Sequence, residues 1–538
     1  MTQTDLIVIN AHIVTMDPLT PMAQALAVVG GRVAALGCDA DIRALAGPGT
    51  RVIDAGGRMV LPGLQDTHIH LQDSGQDYSQ NADLTDAATV DDLVAMLAAF
   101  AARHDRPWVM GTGWYSGVFG AHNLTRQVLD RAVPDRPCFI VASDGHNACM
   151  NSAGLAAVGI DRDTPDPANG QIVRDAVGDA AGLLYELAIP MVEARMPVVG
   201  DAAFADGVRW AMALANRHGI TGVIDAKVEE RRVRVYQALA DELTVRVAAT
   251  ALVRPADRVA EAVERLCDFR AGSGGLFRVH SAKFFLDGVI ENRTAAMIEP
   301  YSDGLGGNAP LMFAPAQVNE MFAAFDAARF QIHVHAIGDL ATRAALDGME
   351  RARVANGAWP SLHQIAHIQF IDPADIPRFA ALGVMANVQP LWARHEVAVD
   401  EMALPVVGAA RGRWMYAFRS LLDAGAQMAL SSDWGVSTLN PFEIMQTAIT
   451  RQPSRAEGGG PVFLPEQRLT RFEALAGYTT GAAAAAWRSA QTGSLAPGKY
   501  ADLIVVDRDI LTCDVQEIGG TQVLLTLLAG REVYREGI

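Results

Sequence analysis

Eight runs of apolar, largely β-branched residues recur along the middle of this chain. They occupy residues 59–71, 221–226, 245–253, 279–287, 330–338, 363–370, 383–390 and 427–434. Helical spacing of apolar residues lies between them, for example over 318–328 and 340–356. Apolar strands that alternate with helices are typical of a parallel sheet covered by helices. Eight such units predict an α/β fold built on a (β/α)8 TIM barrel.

The two ends of the chain carry short strand patterns of a different kind. Strands are predicted over 6–14, 26–29, 33–36 and 51–54 at one end and over 498–507, 523–527 and 532–534 at the other. Neither set is large enough to bury a core by itself. We therefore expect residues 1–58 and 490–538 to form one discontinuous β-sandwich domain, and residues 59–74 and 201–489 to form the barrel.

A long segment separates the first two barrel strands. It covers residues 72–220, whereas a βα unit needs only roughly 30 residues. Long connections of this kind on a barrel usually shape the binding site. Residues 75–200 are therefore expected to form an insertion that shapes the active-site mouth.

Composition excludes several classes of function. The 538 residues hold 44 Lys+Arg and 61 Asp+Glu, a net charge of −17, which opposes binding to nucleic acid or to an anionic membrane surface. The five cysteines include no CxxC pair, so we expect reduced thiols and a cytoplasmic location. The N-terminus has no signal-peptide pattern, and no apolar run reaches 18 residues, which argues against export and membrane spanning.

The clearest chemical signal lies at the end of the first barrel strand. His68 and His70 are two residues apart, so in a strand both imidazoles point to the same side. Two neutral imidazoles that converge are ligands for a divalent metal. An isolated HxH triplet also occurs in ordinary protein cores, so the other strand ends decide the question.

Further metal-ligand residue types stand late in four other barrel strands. They are Lys283, His335, His367 and Asp433. The carboxyl ends of barrel strands form the rim on which barrel enzymes carry their active sites. His333 shares the facing of His335 and is an alternative ligand, although His335 is nearer the rim. Asp66, Asp287 and Asp339 are expected to support the ligands.

These segments resemble the metal-dependent amidohydrolase superfamily, specifically its amidohydrolase family 3 branch. The resemblance extends over essentially the whole chain. Its motifs are LPGLQDTHIHL at 61–71, GTGWY at 111–115, DGHNACMNSAGL at 144–155, KFFLDG at 283–288, HAIGD at 335–339, IAHIQ at 365–369, SSDW at 431–434 and GSLAPGKYADLIVVD at 493–507.

The resemblance implies a ligand set. His68 and His70 would bind the more buried metal and His335 and His367 the second, with Asp433 as ligand and proton shuttle. Lys283 stands where the superfamily carries a lysine carboxylated by CO₂, whose carbamate bridges two metals. The expected cofactor is a divalent metal ion, with Zn²⁺ as the first expectation for its identity. One or two ions are expected per chain. Nitrogen and oxygen donors also suit Mn²⁺, Fe²⁺ and Co²⁺, and an unmodified Lys283 would favour a single ion.

A metal-dependent amidohydrolase is the function that follows. A bound metal activates water at neutral pH, and Asp433 would take the water proton and return it to the leaving nitrogen. The expected substrate is a small molecule with a non-peptide C–N bond of the amide, N-acyl or N-formyl type. His146 or Tyr115 would donate to the carbonyl oxygen, and the residues expected to contact substrate are Trp114, Tyr115, Phe119, His146 and Trp434.

Two other functions stay open. The same site could open cyclic amides, hydrolyse carbamates or esters, or deaminate, and metal stoichiometry and a substrate panel would distinguish these reactions. A barrel that binds or regulates without turnover would be expected to lose ligands, and no member of the six-residue pattern is missing here. Large barrels with β attachments often pair, which favours a homodimer.

Overall fold

The computed structural model describes residues 4–103, 105–115, 124–143, 145, 147–168, 170–291, 293–302, 304, 307–455 and 457–538. These residues divide into two compact units. The first comprises Met1–His70, Met212–Asp433 and Thr438–Ile538, and the second comprises Leu71–Ala211 and Trp434–Ser437. None of the helices in these ranges combines the length and apolar character needed to cross a lipid bilayer.

The N-terminal part of the first unit is a set of short strands with one helix. Its elements are β1 (Leu6–Ile9), β2 (His12–Val14), β3 (Met22–Ala23), β4 (Ala25–Val29), β5 (Arg32–Gly37), α1 (Asp39–Arg43), β6 (Arg51–Asp54) and β7 (Met59–Pro62). The single strand expected over 6–14 is two strands, because the backbone turns at Asn10, where φ is +50°. β1 and β2 consequently enter different sheets.

An eight-stranded parallel sheet forms the centre of this unit, and the predicted barrel is confirmed. Its strands are β8 (Leu64–Ile69), β15 (Ile220–Val228), β16 (Arg246–Leu252), β17 (Phe277–Phe285), β18 (Gln331–Ala336), β19 (Gln364–His367), β20 (Met385–Val388) and β21 (Gln427–Leu430), each paired in parallel with the next. Thr67 Oγ1 donates to Leu430 O at 3.1 Å and Asp433 N donates to His68 O at 2.8 Å. These two bonds join the first and last strands.

Helices follow most of the barrel strands. They are α8 (Glu230–Ala238), α9 (Val259–Ala271), α10 (Pro315–Ala327), α11 (Asp339–Asn356), α12 (Ile376–Leu382), α13 (Leu404–Val407), α14 (Ala409–Gly412), α15 (Phe418–Asp423), α16 (Pro441–Thr450), α17 (Arg471–Tyr478) and α18 (Thr480–Ala485), whereas α7 (Asp201–Arg217) precedes β15. A π-helix covers Ala398–Ala403, and short 3-10 turns cover Pro390–Trp392 and Pro465–Gln467. The apolar face of α10 covers the sheet, because Phe322 and Phe325 pack on the ring of Phe284 in β17.

The barrel interior contains a chain of buried amides. Asn387 Nδ2 donates to Thr67 O at 2.9 Å and to Gln364 Oε1 at 2.8 Å. Gln364 Nε2 donates to Gln331 Oε1 at 2.7 Å, and Gln331 Nε2 donates to Ala485 O at 2.9 Å. A buried polar chain that is hydrogen-bonded at each step fixes one arrangement of its strands, here the strands that end in the candidate site.

The chain ends pair into the predicted composite sandwich, which is confirmed. The C-terminal strands are β22 (Leu503–Val506), β23 (Val523–Leu528) and β24 (Arg531–Arg535). A 3-10 turn at Val515–Gly520 lies between β22 and β23. The two sheets have the orders β5-β4-β1-β6 and β24-β23-β22-β7-β2-β3. β7 and β22 are antiparallel neighbours, with Val60 opposite Val505. Apolar residues of both sheets, including Leu6, Val8 and Leu525, form one core.

The first predicted barrel strand, 59–71, is divided between the sandwich and the barrel. Residues Met59–Pro62 pair with β22, and Leu64–Ile69 pair with β15. Gly63 lies at the junction and donates its N–H to Asp502 O at 2.9 Å. A Cβ at this position would lie 2.3 Å from Thr221 Oγ1, so only glycine lets the chain pass so close to the next strand.

The second unit is built on its own six-stranded sheet. Its strands are β9 (Ala82–Asp83), β10 (Val109–Trp114), β11 (Cys138–Ala142), β12 (Asn147–Met150), β13 (Gly170–Arg174) and β14 (Ala180–Glu186), in the order β13-β14-β12-β11-β10-β9. Its helices are α2 (Leu71–Gln80), α3 (Val90–Arg103), α4 (Arg126–Ala132), α5 (Ser152–Ala157) and α6 (Ala188–Glu193). Asn151 caps α5, since its Oδ1 accepts from Gly154 N at 2.7 Å and from Cys138 N at 2.8 Å.

Candidate metal centre

His68, His70 and Asp433 form the most compact group of ligand atoms in the site. His70 Nε2 lies 3.2 Å and His68 Nε2 3.6 Å from Asp433 Oδ1. One atom from each residue can be chosen so that all lie within 4.8 Å of one another. The β pleat puts the two imidazoles on one side, and the bond from Asp433 N to His68 O holds the aspartate beside them.

Lys283, His335 and His367 surround this group. Lys283 is fully buried (0% exposed), and its Nζ lies 3.3 Å from His68 Nε2. The ring centroids of His335 and His367 are 4.4 Å apart, and His367 Nδ1 lies 3.9 Å from Asp433 Oδ2. The structure therefore brings together all six residues predicted as ligands, although their roles as ligands stay predictions.

Buried nitrogen and oxygen atoms without hydrogen bonds indicate what this group fits. Both ring nitrogens of His367 and Oδ1 of Asp433 are buried and have no hydrogen-bond partner among the residues that the structure describes. Leaving such atoms unsatisfied in a protein interior is costly. Imidazole nitrogens together with a carboxylate are the donor set of a divalent metal ion, so these residues fit the metal that the sequence predicts.

Burial keeps the imidazoles in the form that binds metals. It lowers the pKa of His68 and of His367 well below the usual value, with nearby Lys283 contributing for His68 and His335 for His367. Burial also lowers the pKa of Lys283 to about 7, against the opposing effect of Asp433. Neutral imidazole, with one unprotonated ring nitrogen, is the ligand form of histidine.

Three aspartates near the site bind backbone amides. Asp66 accepts from His68 N at 3.2 Å and from Ser432 N at 3.1 Å, and burial raises its pKa to about 7. Asp287 accepts from the backbone N–H of Gly338 at 2.8 Å, and burial likewise raises its pKa to about 7. Asp339 accepts from Ile298 N at 2.8 Å. These carboxylates hold the segments that carry the candidate ligands.

His333 has a contact that the sequence did not predict. Its Nε2 lies 2.8 Å from Nδ1 of His68, and its side chain is completely buried. The sequence left His333 as an alternative to His335 because both face one way in β18. In the structure His333 contacts a candidate ligand, and His335 Nε2 lies 3.2 Å from Gly288 O.

Two aromatic rings beside the histidines were also missed. Phe285 lies 5.0 Å from the ring of His335, and Trp392 lies 6.3 Å from the ring of His367. Phe285 could have been found, because it is two residues after Lys283 in β17 and therefore has the same facing. Trp392 belongs to a short turn after β20, and no periodicity points to it.

The predicted substrate contacts have different surroundings within the second unit. Trp114 is buried (1% exposed) in an apolar core with Leu84 and Leu97, whereas Tyr115 is 45% exposed. Trp434 stacks on Tyr78 at 5.7 Å and on Trp210 at 6.1 Å. Contact of these residues with substrate stays a prediction. His146 and Phe119 lie outside the described residues.

Known proteins resemble this chain over nearly its whole length. The model of the amidohydrolase family matches residues 51–534. N-substituted formamide deformylase of Arthrobacter pascens is 29% identical, covering 98% of this chain and 97% of that enzyme. Protein LONG AFTER FAR-RED 3 of Arabidopsis thaliana is also 29% identical, covering 98% and 91%. An uncharacterized metal-dependent hydrolase of Pyrococcus horikoshii has a similar fold, with a TM-score of 0.76, 24% identity and coverage of 95% and 99%.

Proposed function

Since this chain belongs to the amidohydrolase family and is a metal-dependent hydrolase of C–N bonds, we propose that it cleaves a non-peptide amide, N-acyl or N-formyl bond in a small molecule. The relative from Arthrobacter pascens, which is named for deformylating N-substituted formamides, supports the N-formyl class. One observation carries the proposal. Buried ring nitrogens of His367 and a buried carboxylate oxygen of Asp433 have no hydrogen-bond partner among the described residues, and they lie beside His68 and His70.

The metal would be held by this chain's nitrogen and oxygen atoms. His68, His70 and Asp433 are the proposed ligands of a first ion, and His335 and His367 those of a second. Zn²⁺ is the proposed ion because it favours imidazole and carboxylate ligands. When bound, such an ion supplies Lewis acidity, which activates water and polarises a carbonyl group at neutral pH.

Lys283 is proposed to carry a carboxyl group when two ions are bound. A neutral lysine amine adds to CO₂, forms an N–C bond and releases one proton, which leaves a carbamate with two oxygens. Lys283 is buried next to His68, 3.3 Å from its Nε2. An ammonium has only donors, whereas the carbamate oxygens can bind cations.

Asp433 has the chemistry of a proton shuttle. Its Oδ1 is buried and accepts no hydrogen bond from the described part of the chain, so a proton can be placed there. We propose that Asp433 takes a proton from the attacking water and passes it to the departing nitrogen, because an amine anion is a very poor leaving group.

Phe285 and Trp392, beside His335 and His367, would pack on the apolar part of the substrate.

The proposed location is the cytoplasm. All five cysteines are free thiols in the structure, as expected for a reducing compartment.

A substrate panel tests the proposed function. Protein loaded with zinc is offered N-substituted formamides, N-acetyl amines, cyclic amides, carbamates, esters and aromatic amines, and formate, amine and ammonia are measured. Equimolar acid and amine from an N-formyl or N-acyl compound is the expected result. Ammonia from the aromatic amines alone would point to deamination and overturn the proposal. Turnover that survives removal of metal by a chelator would also overturn it.

A further inference from the structure

A hydrogen bond between two imidazoles lies behind the candidate metal ligand His68. His68 Nδ1 and His333 Nε2 are 2.8 Å apart, and the two rings cross at 67° with their centroids 4.8 Å apart. Both side chains are buried. Water therefore does not compete for either nitrogen. The proton of this hydrogen bond can be carried by His68 Nδ1 or by His333 Nε2.

The position of that proton decides whether His68 can bind a metal. A neutral imidazole has one N–H donor and one nitrogen acceptor. If Nδ1 of His68 carries the proton and donates to His333, Nε2 of His68 keeps its lone pair. If His333 Nε2 donates instead, His68 must carry its proton on Nε2, the atom 3.6 Å from Asp433 Oδ1, and that atom cannot be a ligand.

The other ring nitrogen of His68 faces the candidate metal site. Lys283 Nζ lies 3.3 Å from His68 Nε2, and Asp433 Oδ1 lies 3.6 Å from the same atom. Ligation of a metal by Nε2 requires the tautomer of His68 that carries its proton on Nδ1. In that tautomer His333 Nε2 is the acceptor of the hydrogen bond.

The group that usually orients a metal-binding histidine is engaged elsewhere. Such a histidine normally gives its second N–H to a carboxylate or a carbonyl. Asp66, the nearest carboxylate in sequence, accepts from the backbone N–H of His68 and of Ser432. The ring of His68 therefore depends on His333.

We propose that His333 is a positioning residue, which accepts the Nδ1–H of His68 and so fixes the tautomer and orientation in which His68 Nε2 binds the metal. This inference rests on the proposed metal site. It also assigns different tasks to the two histidines of β18, since His333 holds a ligand while His335 is itself a candidate ligand. Partners of this kind typically change metal affinity by about 10–100-fold.

Three variants separate positioning from ligation and from general packing. His333→Leu removes the acceptor, whereas His333→Gln keeps an oxygen that can accept the same N–H. His280→Leu is the matched control, because His280 is a buried barrel histidine whose ring packs on Trp487, 5.2 Å away. Zinc dissociation constants are measured on metal-free protein by competition with a chromophoric chelator, and the visible spectrum of Co²⁺-loaded protein is recorded.

We expect His333→Leu to weaken zinc binding about 10–100-fold and to alter the Co²⁺ spectrum, while His333→Gln recovers most of the affinity and His280→Leu matches the wild type. If His333→Leu does not fold, His333→Met takes its place. Wild-type affinity in the apolar variant would overturn the inference. Equal loss in the Leu and Gln variants would overturn it in favour of His333 as a ligand, and equal loss in His280→Leu would reduce it to packing. A wild type that binds no zinc would overturn the proposed function instead.

Discussion

Arg246 and Asp502 form a buried bidentate ion pair that joins the barrel to the sandwich. Arg246 Nε lies 2.7 Å from Asp502 Oδ2, and Arg246 Nη2 lies 3.0 Å from Asp502 Oδ1. Arg246 begins β16, and Asp502 immediately precedes β22. Asp502 Oδ1 also accepts from Ala529 N at 2.7 Å. This geometry ties the C-terminal segment to the start of a barrel strand.

Removal of one partner of this pair is expected to be strongly destabilising. Asp502→Ala leaves a buried guanidinium without its counter-charge, and broken buried pairs typically lose about 3–5 kcal/mol in the free energy of unfolding. Urea unfolding followed by circular dichroism measures the change. The double variant Arg246→Met with Asp502→Leu should recover part of the loss, because no charge is left buried.

An exposed pair provides the control for that experiment. Arg258 and Glu261 are bonded at 2.7 Å, but their side chains are 82% and 61% exposed. Arg258→Ala should change the free energy of unfolding by less than about 1 kcal/mol. Similar losses in Asp502→Ala and Arg258→Ala would contradict the role assigned to the buried pair.

Asp433→Asn tests the proposed proton shuttle. The amide keeps the size of the side chain and an oxygen, but it cannot accept a proton at neutral pH. We expect turnover to fall by about 10²–10⁴-fold, the usual contribution of general acid–base catalysis. The circular dichroism spectrum and metal content should stay close to wild type, because the amide oxygen can still serve as a ligand beside His68 and His70. Asp347→Asn, on a half-exposed side chain paired with Arg378, is the control. Undiminished turnover in Asp433→Asn would remove the shuttle role.

Metal stoichiometry tests the carboxylation of Lys283. Metal-free protein is loaded with zinc either in CO₂-free buffer or with bicarbonate, and bound zinc is measured by elemental analysis. Two ions per chain are expected with bicarbonate and one without it. Lys283→Met should hold one ion under both conditions. Two ions per chain in Lys283→Met would show that a second ion does not depend on a lysine carbamate.

Much of the candidate site could be predicted from the sequence, because two regular features of strands are enough to place its residues. The side-chain period of a strand puts His68 and His70 on one side, and the carboxyl ends of parallel barrel strands share one rim. Together they predict that Lys283, His367 and Asp433 lie near the HxH pair, as the distances show.

Other features depend on partners far away in the chain. Residues 59–62 and 64–69 have the same strand pattern, and only pairing with β22, more than 400 residues later, divides them at Gly63. Likewise, the side chains of His333 and His335 point to the same side of β18, so the strand pattern alone does not distinguish their roles. The bond from His68 to His333 depends on the rotation of two rings, which no periodicity encodes.

The His363–Asp326 pair predicts how stability depends on pH. His363 Nδ1 accepts from Ile332 N at 3.0 Å, and its Nε2 donates to Asp326 Oδ1 at 3.0 Å, so the imidazole is neutral. Burial lowers the pKa of His363, although Asp326 opposes this effect. In the unfolded chain the pKa of a histidine is about 6.5. The unfolded state therefore binds the proton first as pH falls, and the stability that His363 contributes is present above about pH 6.5 and lost below it.

His363→Gln isolates this contribution, because a glutamine can accept from Ile332 N and donate to Asp326 without titrating. At pH 7 the wild type is expected to be more stable than the variant by about 1 kcal/mol, the value of an imperfectly replaced buried hydrogen bond. As pH falls from 7 to 5, the difference in free energy of unfolding between the two proteins should shrink. Urea unfolding at each pH measures it. A difference that stays constant or widens would mean that His363 does not take up its proton more readily in the unfolded chain.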